Sequence, residues 1–202
     1  MSKKILGTAI TDENGEATFI YKGEGVGKIN IIAKAENLES APCEIDDCLF
    51  YDRAIDNNNN NNWKPSKTDF QIFVQETGTL IKYPNRTDGA NYYANSQSKI
   101  NYFVKNNFCI EFDVIYFEGN PKIRVSDSTR DFTINTKITN QEQTNHIKIL
   151  FKNTQVQYQI NNGEIKTSSI EFDISKKHAI SFYMPSGVEN SIKFKDFKVY
   201  LL

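Results

Sequence analysis

The sequence predicts an all-β protein built as an antiparallel β-sandwich, and the pattern in residues 108–117 carries most of that prediction. Apolar side chains alternate there with a second set that includes two acids. The apolar set is Phe108, Ile110, Phe112, Val114 and Tyr116, and the acids are Glu111 and Asp113. Because successive side chains on a strand point to opposite faces, this segment is a strand with one dry face and one face carrying two carboxylates. The alternation returns repeatedly before the carboxyl end, and no segment has a convincing helical period.

The same alternation divides the chain from residue 49 onwards into about a dozen short strands. The expected strands are 49–52, 69–75, 78–83, 91–94, 99–104, 108–117, 121–126, 131–138, 145–152, 155–160, 164–172, 178–184 and 191–201. Asn161-Asn162-Gly163 predicts a tight hairpin between two of them. In the last strand the apolar positions change from even to odd, which predicts a β-bulge near Lys195–Asp196. This number of antiparallel strands without a helix is typical of a jelly roll.

Composition limits the functional classes. The chain of 202 residues is long enough for one large sandwich or for a small β-module and a second domain. Its 24 basic and 25 acidic residues are balanced, and no concentrated basic run exists, so nucleic-acid binding is not expected. No apolar run approaches the ~18 residues of a membrane-spanning helix. The start, Met1–Gly7, has no apolar core for a signal peptide. We therefore expect either an excised fragment or a protein that reaches the outside without a cleaved signal.

The three cysteines form neither a metal-ligand spacing nor an even disulfide framework. Cys109 lies inside a predicted strand and is expected to be a small buried hydrophobe. Cys43 and Cys48 are close enough in sequence to meet across a bend, but reduced packing residues are the favoured interpretation.

No cofactor is predicted. Asp127, Ser128 and Asp131 could offer oxygen ligands to calcium, but a polar turn is the favoured interpretation of this segment. The only two histidines, His146 and His178, lie in separate predicted strands, so neither a zinc cluster nor a His-based triad is expected.

Residues 1–48 form a separate segment, with strands expected near 7–11, 16–22 and 28–35. Asp12-Glu13-Asn14-Gly15 predicts a hairpin turn, because Asn-Gly readily adopts the positive φ of tight turns. Thr11–Phe19, with the pattern T-D-x-N-G-x-A-x-F, and then Gly27–Ala35 resemble the last strands of a bacterial immunoglobulin-like repeat of the invasin/adhesin type. The resemblance covers residues 7 to about 42, roughly half of such a domain. It implies a truncated stalk repeat, completed by upstream chain or by docking on the second segment.

Asp56 and six consecutive asparagines at 57–62 separate the two segments. Such a tract has nothing to bury and is expected to be a loop. The predicted domains are therefore a partial immunoglobulin-like stalk module at 1–48 and a jelly-roll, lectin-like domain at 49–202, with 56–62 as an Asn-rich loop. Trp63, the only tryptophan, is interpreted as a core anchor, and an exposed sugar platform is the alternative.

The second segment resembles the concanavalin-like lectin/laminin-G superfamily. The motifs that carry this resemblance are the early Trp63, Asn91-Tyr92-Tyr93, the I-E-F-D-V strand at 110–114, and I-K-F-K-D-F-K-V-Y at 192–200. The resemblance covers most of residues 49–202. It implies a module that binds glycans or proteins, as many members do in surface, adhesin and viral tail proteins.

The same superfamily raises an enzyme hypothesis. Its laminarinase-type glucanases carry three acids on one strand as E-x-D-x-x-E, and Glu111 and Asp113 match the first two. Tyr116 stands at the third position, and Glu118 follows two residues too late. Because a retaining glycosidase needs two carboxyl groups about 5–5.5 Å apart in distinct roles, we predict that the protein is not an enzyme. The structural alternative for the two acids is a solvated sheet face, paired with Lys122 and Arg124 on adjacent strands.

The predicted function is a non-catalytic binding module of a surface adhesin or a viral tail protein, with a role in host attachment. Its partner would be a surface glycan or cell-wall polymer, and its location extracellular, at the cell surface or on a virion. The candidate ligand-binding residues lie on outward strand positions and in one polar–aromatic loop. They are Arg86, Tyr92, Tyr93, Glu111, Asp113, Arg124, Gln157 and Tyr183. A structural spacer or assembly module that contacts neighbouring protomers and a degenerate glycoside hydrolase remain as alternatives.

Overall fold

The structure is a computed structural model, and it describes residues 4–21, 23–24, 27–52, 63–65, 71–84, 92–96, 107–126, 131–135, 143–173 and 179–202. All regular secondary structure in these residues is β-strand, which confirms the all-β prediction. The strands are β1 Gly27–Ile31, β2 Lys34–Ala35, β3 Leu38–Glu39, β4 Cys43–Asp47, β5 Phe50–Asp52, β6 Trp63–Pro65, β7 Gln71–Gln75, β8 Gly78–Tyr83, β9 Tyr92–Ser96, β10 Phe108–Glu118, β11 Lys122–Ser126, β12 Asp131–Asn135, β13 Asn145–Lys152, β14 Gln155–Ile160, β15 Lys166–Glu171, β16 Ala179–Met184 and β17 Asn190–Leu201. The expected strand 99–104 lies outside the described residues, and the other strands expected after residue 48 are confirmed. No helix in these ranges is long and apolar enough to cross a lipid bilayer.

Two antiparallel sheets form the sandwich. The large sheet has eight strands in the order β15-β14-β13-β10-β17-β8-β7, with β5 also paired to β17. The small sheet has five strands in the order β12-β11-β16-β9-β6. Chain neighbours β10 and β11 belong to different sheets, whereas β10 pairs with β13 and β17, which are distant in sequence. Long-range pairing therefore decides which outward side chains meet.

An aromatic core joins the two sheets. Phe182 of the small sheet stacks on Phe194 of the large sheet, with ring centroids 4.6 Å apart. Trp63 is only 2% exposed and packs against Phe182 at 5.0 Å. Its indole N–H donates a 2.6 Å hydrogen bond to the buried Asp52 carboxylate, which satisfies both groups. Trp63 is thus the core anchor, and the alternative of an exposed sugar platform is wrong.

Two irregularities change which side chains of β10 and β17 face outward. Glu111 pairs with Lys198 and Asp113 pairs with Lys195, so β17 holds one extra residue between them. Asp196 has a φ of 51°, and the predicted bulge at Lys195–Asp196 is confirmed. A second register shift follows Val114 and reverses the parity of β10. Tyr116 is therefore 42% exposed, and its predicted place in the dry set is wrong.

The amino-terminal segment departs from the expectation of three strands. Residues 7–11 and 16–21 form no strand, although the predicted turn is present: the N–H of Gly15 donates to the Asp12 carbonyl at 3.0 Å. Ile5, Ile10 and Ile20 are exposed. A single hairpin without a covering layer is marginal in water, which accounts for the missing strands. Pairing begins only at β1, which forms a two-stranded sheet with β4. The immunoglobulin-like resemblance stays a prediction.

The burial of Cys109 confirms the expectation of a small buried hydrophobe. Cys48 is partly exposed. Cys43 is exposed, so the interpretation of this residue as a packing residue is wrong.

Candidate functional sites

The first polar cluster lies on the outer side of the large sheet, and we call it the β10 face. It comprises Glu111 and Asp113 of β10, His146 and Lys148 of β13, and Lys195, Lys198 and Tyr200 of β17. Cross-strand register brings these residues together, since His146 and Lys195 flank Asp113 on either side. Lys148 and Lys198 flank Glu111 in the same way.

Each carboxylate oxygen in the β10 face has a partner. The His146 imidazole lies between the two acids, with Nδ1 2.8 Å from Asp113 Oδ1 and Nε2 3.4 Å from Glu111 Oε1. Lys195 Nζ is 4.0 Å from Asp113 Oδ2. The Tyr200 hydroxyl donates to Glu111 Oε2 at 2.7 Å, and Lys148 Nζ is 3.6 Å from the same oxygen. Both acids are 24% exposed, and each has one contact of hydrogen-bond length, Asp113 with His146 and Glu111 with Tyr200.

This arrangement corrects the expected partners of the two acids. Glu111 and Asp113 do not pair with Lys122 and Arg124, because β11 belongs to the small sheet. His146 was the residue that sequence reasoning missed. The signal that could have found it is the alignment of β10 with β13, which sets Asp113 directly opposite His146.

A buried thiol lies beside the β10 face. Burial raises the pKa of Cys109 to about 11, although the neighbouring Tyr200 side chain acts in the opposite direction. Burial, the Cys109 thiol and the Glu111 carboxylate all raise the pKa of Tyr200. Both groups stay protonated at neutral pH, so Tyr200 is a steady hydrogen-bond donor to Glu111.

Tyr116 occupies the position of the third acid in the glucanase pattern. The parity change in β10 brings it to the outer side of the sheet, where its hydroxyl donates to Glu118 Oε2 at 3.1 Å. Burial and the Glu118 carboxylate raise the pKa of the Tyr116 phenol. The third position therefore offers a neutral hydroxyl in place of a carboxylic acid.

The second cluster lies on the outer side of the small sheet, and we call it the β16 face. It comprises Lys122 and Arg124 of β11, Asp131 of β12, and Ser181 and Tyr183 of β16. Arg124 Nη2 contacts Asp131 Oδ1 at 2.6 Å, and Lys122 Nζ lies 5.9 Å from the centroid of the Tyr183 ring. Ser181 is fully buried, and its hydroxyl has no hydrogen-bond partner within the described residues.

The structure divides the predicted ligand-binding residues between the two sheets. Glu111, Asp113 and Gln157 lie in the large sheet, and Arg124 and Tyr183 lie in the small sheet. Tyr92 and Tyr93 lie in β9, where only the backbone is described; the register pairs Tyr93 with Tyr183 and Tyr92 with Met184. The residues outside the described ranges are Arg86, Asp127, Ser128 and His178.

No group of three or more His, Cys, Asp or Glu side chains in the described ranges is arranged to hold a metal ion. Of the three residues considered for calcium, only Asp131 is described. Its carboxylate, at the start of β12, contacts Arg124, and the rest of the predicted polar turn lies outside the described residues.

A third region was not anticipated from the sequence. Tyr158 and Ile160 of β14, Gly163 and Glu164 of the following connection, and Lys166 of β15 line a small open cavity of about 160 Å³, which we call the edge pocket. The predicted turn is present, since the Gly163 N–H donates to the Ile160 carbonyl at 3.1 Å. Strand pairing, however, starts only at Tyr158 and Lys166, so the hairpin is wider than predicted. The widened connection at 159–165 creates the pocket.

Comparisons with known proteins agree with this architecture. No protein-family model and no curated protein matches the chain. A structure solved in work on endo-acting O-glycanases that initiate mucin breakdown in the human gut microbiota has a TM-score of 0.55 and 8% identity, covering 77% of this chain and 99% of that chain. The metal-free carbohydrate recognition domain of Emp46p has a TM-score of 0.51 and 9% identity, covering 75% and 96%. A sialidase has a TM-score of 0.49 and 9% identity over 69% of this chain, which spans 17% of the sialidase.

At these identities the likeness concerns the fold. The protein is a β-sandwich of the jelly-roll type, as the strand pattern predicted.

Proposed function

We propose that the protein is a non-catalytic glycan-binding module. The observation that carries the proposal is the β16 face, where the Lys122 ammonium lies 5.9 Å from the centroid of the partly exposed Tyr183 ring and Arg124 lies two residues along the same strand as Lys122. A sugar presents a C–H face that packs on an aromatic ring, and its hydroxyls accept hydrogen bonds from ammonium and guanidinium groups.

The fold supports the same class of ligand. The carbohydrate recognition domain of Emp46p shares this sandwich, and Tyr93, which the sequence placed in the ligand site, pairs with Tyr183 across the sheet.

The β10 face supports a structural role for its acids. Glu111 and Asp113 are held by His146, two lysines and Tyr200, and Tyr116 stands where a hydrolase of this fold would need its acid/base. In such a hydrolase, one carboxyl group first donates a proton and later accepts one. The third position of β10 holds Tyr116 and therefore supplies no carboxyl group for this role.

The wider context that we propose is a surface adhesin or a viral tail protein, in an extracellular, cell-surface or virion location. A shallow sheet face binds a glycan weakly, and repeated copies would supply avidity. The immunoglobulin-like resemblance of the amino-terminal segment supports a position at the end of a stalk.

A glycan array tests the proposal. We expect the wild-type protein to bind a subset of glycans and Tyr183→Ala and Arg124→Gln to lose at least tenfold in affinity, which is about 1.4 kcal/mol. Tyr116→Ala is the matched control, because it removes an exposed tyrosine from the other sheet.

Two other results would favour one of the alternative functions. An array without any binding would favour a spacer or assembly module that contacts neighbouring protomers. Hydrolysis of a β-glucan that stops on Glu111→Gln would show a glycoside hydrolase and overturn the proposal.

A further inference from the structure

We infer that the edge pocket is a second binding site, which takes one ring of a neutral pyranose sugar. The site is distant in the sheet order from the β16 face, since β14 and β15 end the large sheet and β16 lies in the small one. The inference therefore does not depend on the proposed function of the β16 face.

The size of the pocket limits its ligand to one ring. Its volume of about 160 Å³ is below the ~300–1,000 Å³ of clefts that enclose drug-sized ligands. A single sugar ring suits a cavity of this size, whereas a longer chain would have to leave the pocket.

The wall of the pocket is apolar and firmly supported. Tyr158 and Ile160 pack against the hydrophobic core, and their strand pairs with β13 on its other side. Gly163 has no side chain to obstruct the opening. An aromatic ring fixed in this way presents a ready surface to the C–H face of a sugar, without a cost for ordering the side chain.

The polar groups at the rim lack partners. In the part of the chain that the structure describes, the Glu164 carboxylate, the Lys166 ammonium and the Tyr158 hydroxyl form no hydrogen bond or ion pair. The turn beside them is held separately, by the Gln159 side-chain amide that donates to the Gly163 carbonyl at 2.8 Å. The rim is therefore not required to keep the hairpin closed.

The two charges select the ligand. Sugar hydroxyls both donate and accept, so one neutral ring can donate to Glu164 and accept from Lys166. For a charged sugar, attraction to one of these residues is offset by repulsion from the other, so the pair gives no net preference for either charge. A small zwitterion such as leucine would satisfy both charges, but its ends would compete with the packing of a ring on Tyr158.

Titration followed by two-dimensional ¹H–¹⁵N NMR tests the site. The probes are the methyl pyranosides of glucose, galactose, mannose and N-acetylglucosamine, with N-acetylneuraminic acid and leucine as charged comparisons. We expect saturable shifts at the amides of Gly163, Glu164 and Lys166 with at least one neutral pyranoside. Glu164→Ala and Lys166→Ala should each weaken this binding at least fivefold.

Two variants serve as controls. Lys152→Ala removes an exposed lysine from neighbouring β13, and Tyr116→Ala removes an exposed tyrosine from β10; both should give the wild-type saturable shifts at the pocket amides. Absence of saturable shifts with every neutral pyranoside would overturn the inference. Stronger binding of leucine or N-acetylneuraminic acid, or unchanged binding by both pocket variants, would overturn it as well. Loss of glycan-array binding in Tyr183→Ala alone leaves this result unaffected, so the two sites fail independently.

Discussion

The large sheet carries two polar regions that differ in what their charged groups contact. In the β10 face, both carboxylates are surrounded by His146, lysines and Tyr200. In the edge pocket, Glu164 and Lys166 have no partner within the described chain, and they flank a concave aromatic wall. The many charged groups of the β10 face thus contact one another across neighbouring strands. The two charged groups of the edge pocket remain available to a ligand.

The position of each region in the sheet explains this difference. β10 has a neighbour on both sides, so each outward residue has cross-strand partners whose Cβ atoms are about 4.5–5.5 Å away. β15 ends the sheet, and its ladder with β14 stops at Lys166. Residues just before Lys166 therefore project beyond the paired strands, and within the described residues the Glu164 carboxylate has no hydrogen-bond or ion-pair partner.

The largest loss of stability should follow a substitution on the buried face of β10. Phe112 is fully buried and stacks on Phe197 with centroids 5.0 Å apart. We expect Phe112→Ala to lower the free energy of unfolding by about 3–5 kcal/mol, because it leaves a cavity in the aromatic core. Urea denaturation measures this change. A loss below about 1 kcal/mol would mean that the two sheets do not pack as described.

The next largest effect should be a loss of folding stability at alkaline pH. Cys109 has an ordinary pKa of 9.0 and a pKa of about 11 in the folded protein, so only the unfolded chain releases this proton between those values. Stability should be fully present below pH 9 and should fall as pH rises to about 11, by up to ~3 kcal/mol. Tyr200 acts in the same direction above its ordinary pKa of 10.0. Urea denaturation between pH 8 and 11 should give a flatter profile for Cys109→Ala, and an unchanged slope would contradict burial of the thiol.

A smaller loss of stability is expected for a substitution on the outward face of β10. Asp113→Ala removes an acceptor from His146 and Lys195 and should lower stability by about 1 kcal/mol, because solvent screens this partly exposed pair. Glycan binding at the β16 face and in the edge pocket should not change. Denaturation and the array, performed on the same preparation, separate these two readouts.

The smallest effect on stability should come from the pocket rim. Glu164→Ala and Lys166→Ala should stay within about 0.5 kcal/mol of the wild type, since both residues are exposed and neither has a described partner. Thermal or urea unfolding provides the check. Destabilisation as large as that of Asp113→Ala would show that the rim supports the hairpin.

The sequence predicted the parts of this fold that follow from side-chain parity. The alternation at 108–114 and the bulge at Lys195–Asp196 both appear in the structure. Where one face of a sheet is buried, a change of register moves the apolar side chains to the other face, so it is visible in the sequence pattern. Tyr116 was misplaced because a second bulge follows Val114, and the apolar ring of tyrosine is compatible with either face.

The candidate site was less predictable from the sequence. Odd or even position in a strand tells whether a side chain faces outward, but it does not tell to which of the two sheets the strand belongs. Glu111 and Arg124 both face outward as expected, but on opposite sides of the sandwich. The expected partners were neighbours in sequence, whereas His146 reaches Asp113 through long-range pairing. The edge pocket depends on where a ladder stops, which the turn sequence Asn161-Asn162-Gly163 does not determine.

The most direct test compares two double variants in one titration with a neutral methyl pyranoside. Glu111→Gln/Asp113→Asn removes the two acidic charges of the β10 face, and Glu164→Ala/Lys166→Ala removes both charges of the edge pocket. We predict that the first variant is less stable and keeps the wild-type shifts at the edge-pocket amides, while the second is equally stable and loses those shifts. Loss of binding in the first variant together with retained binding in the second would contradict the account.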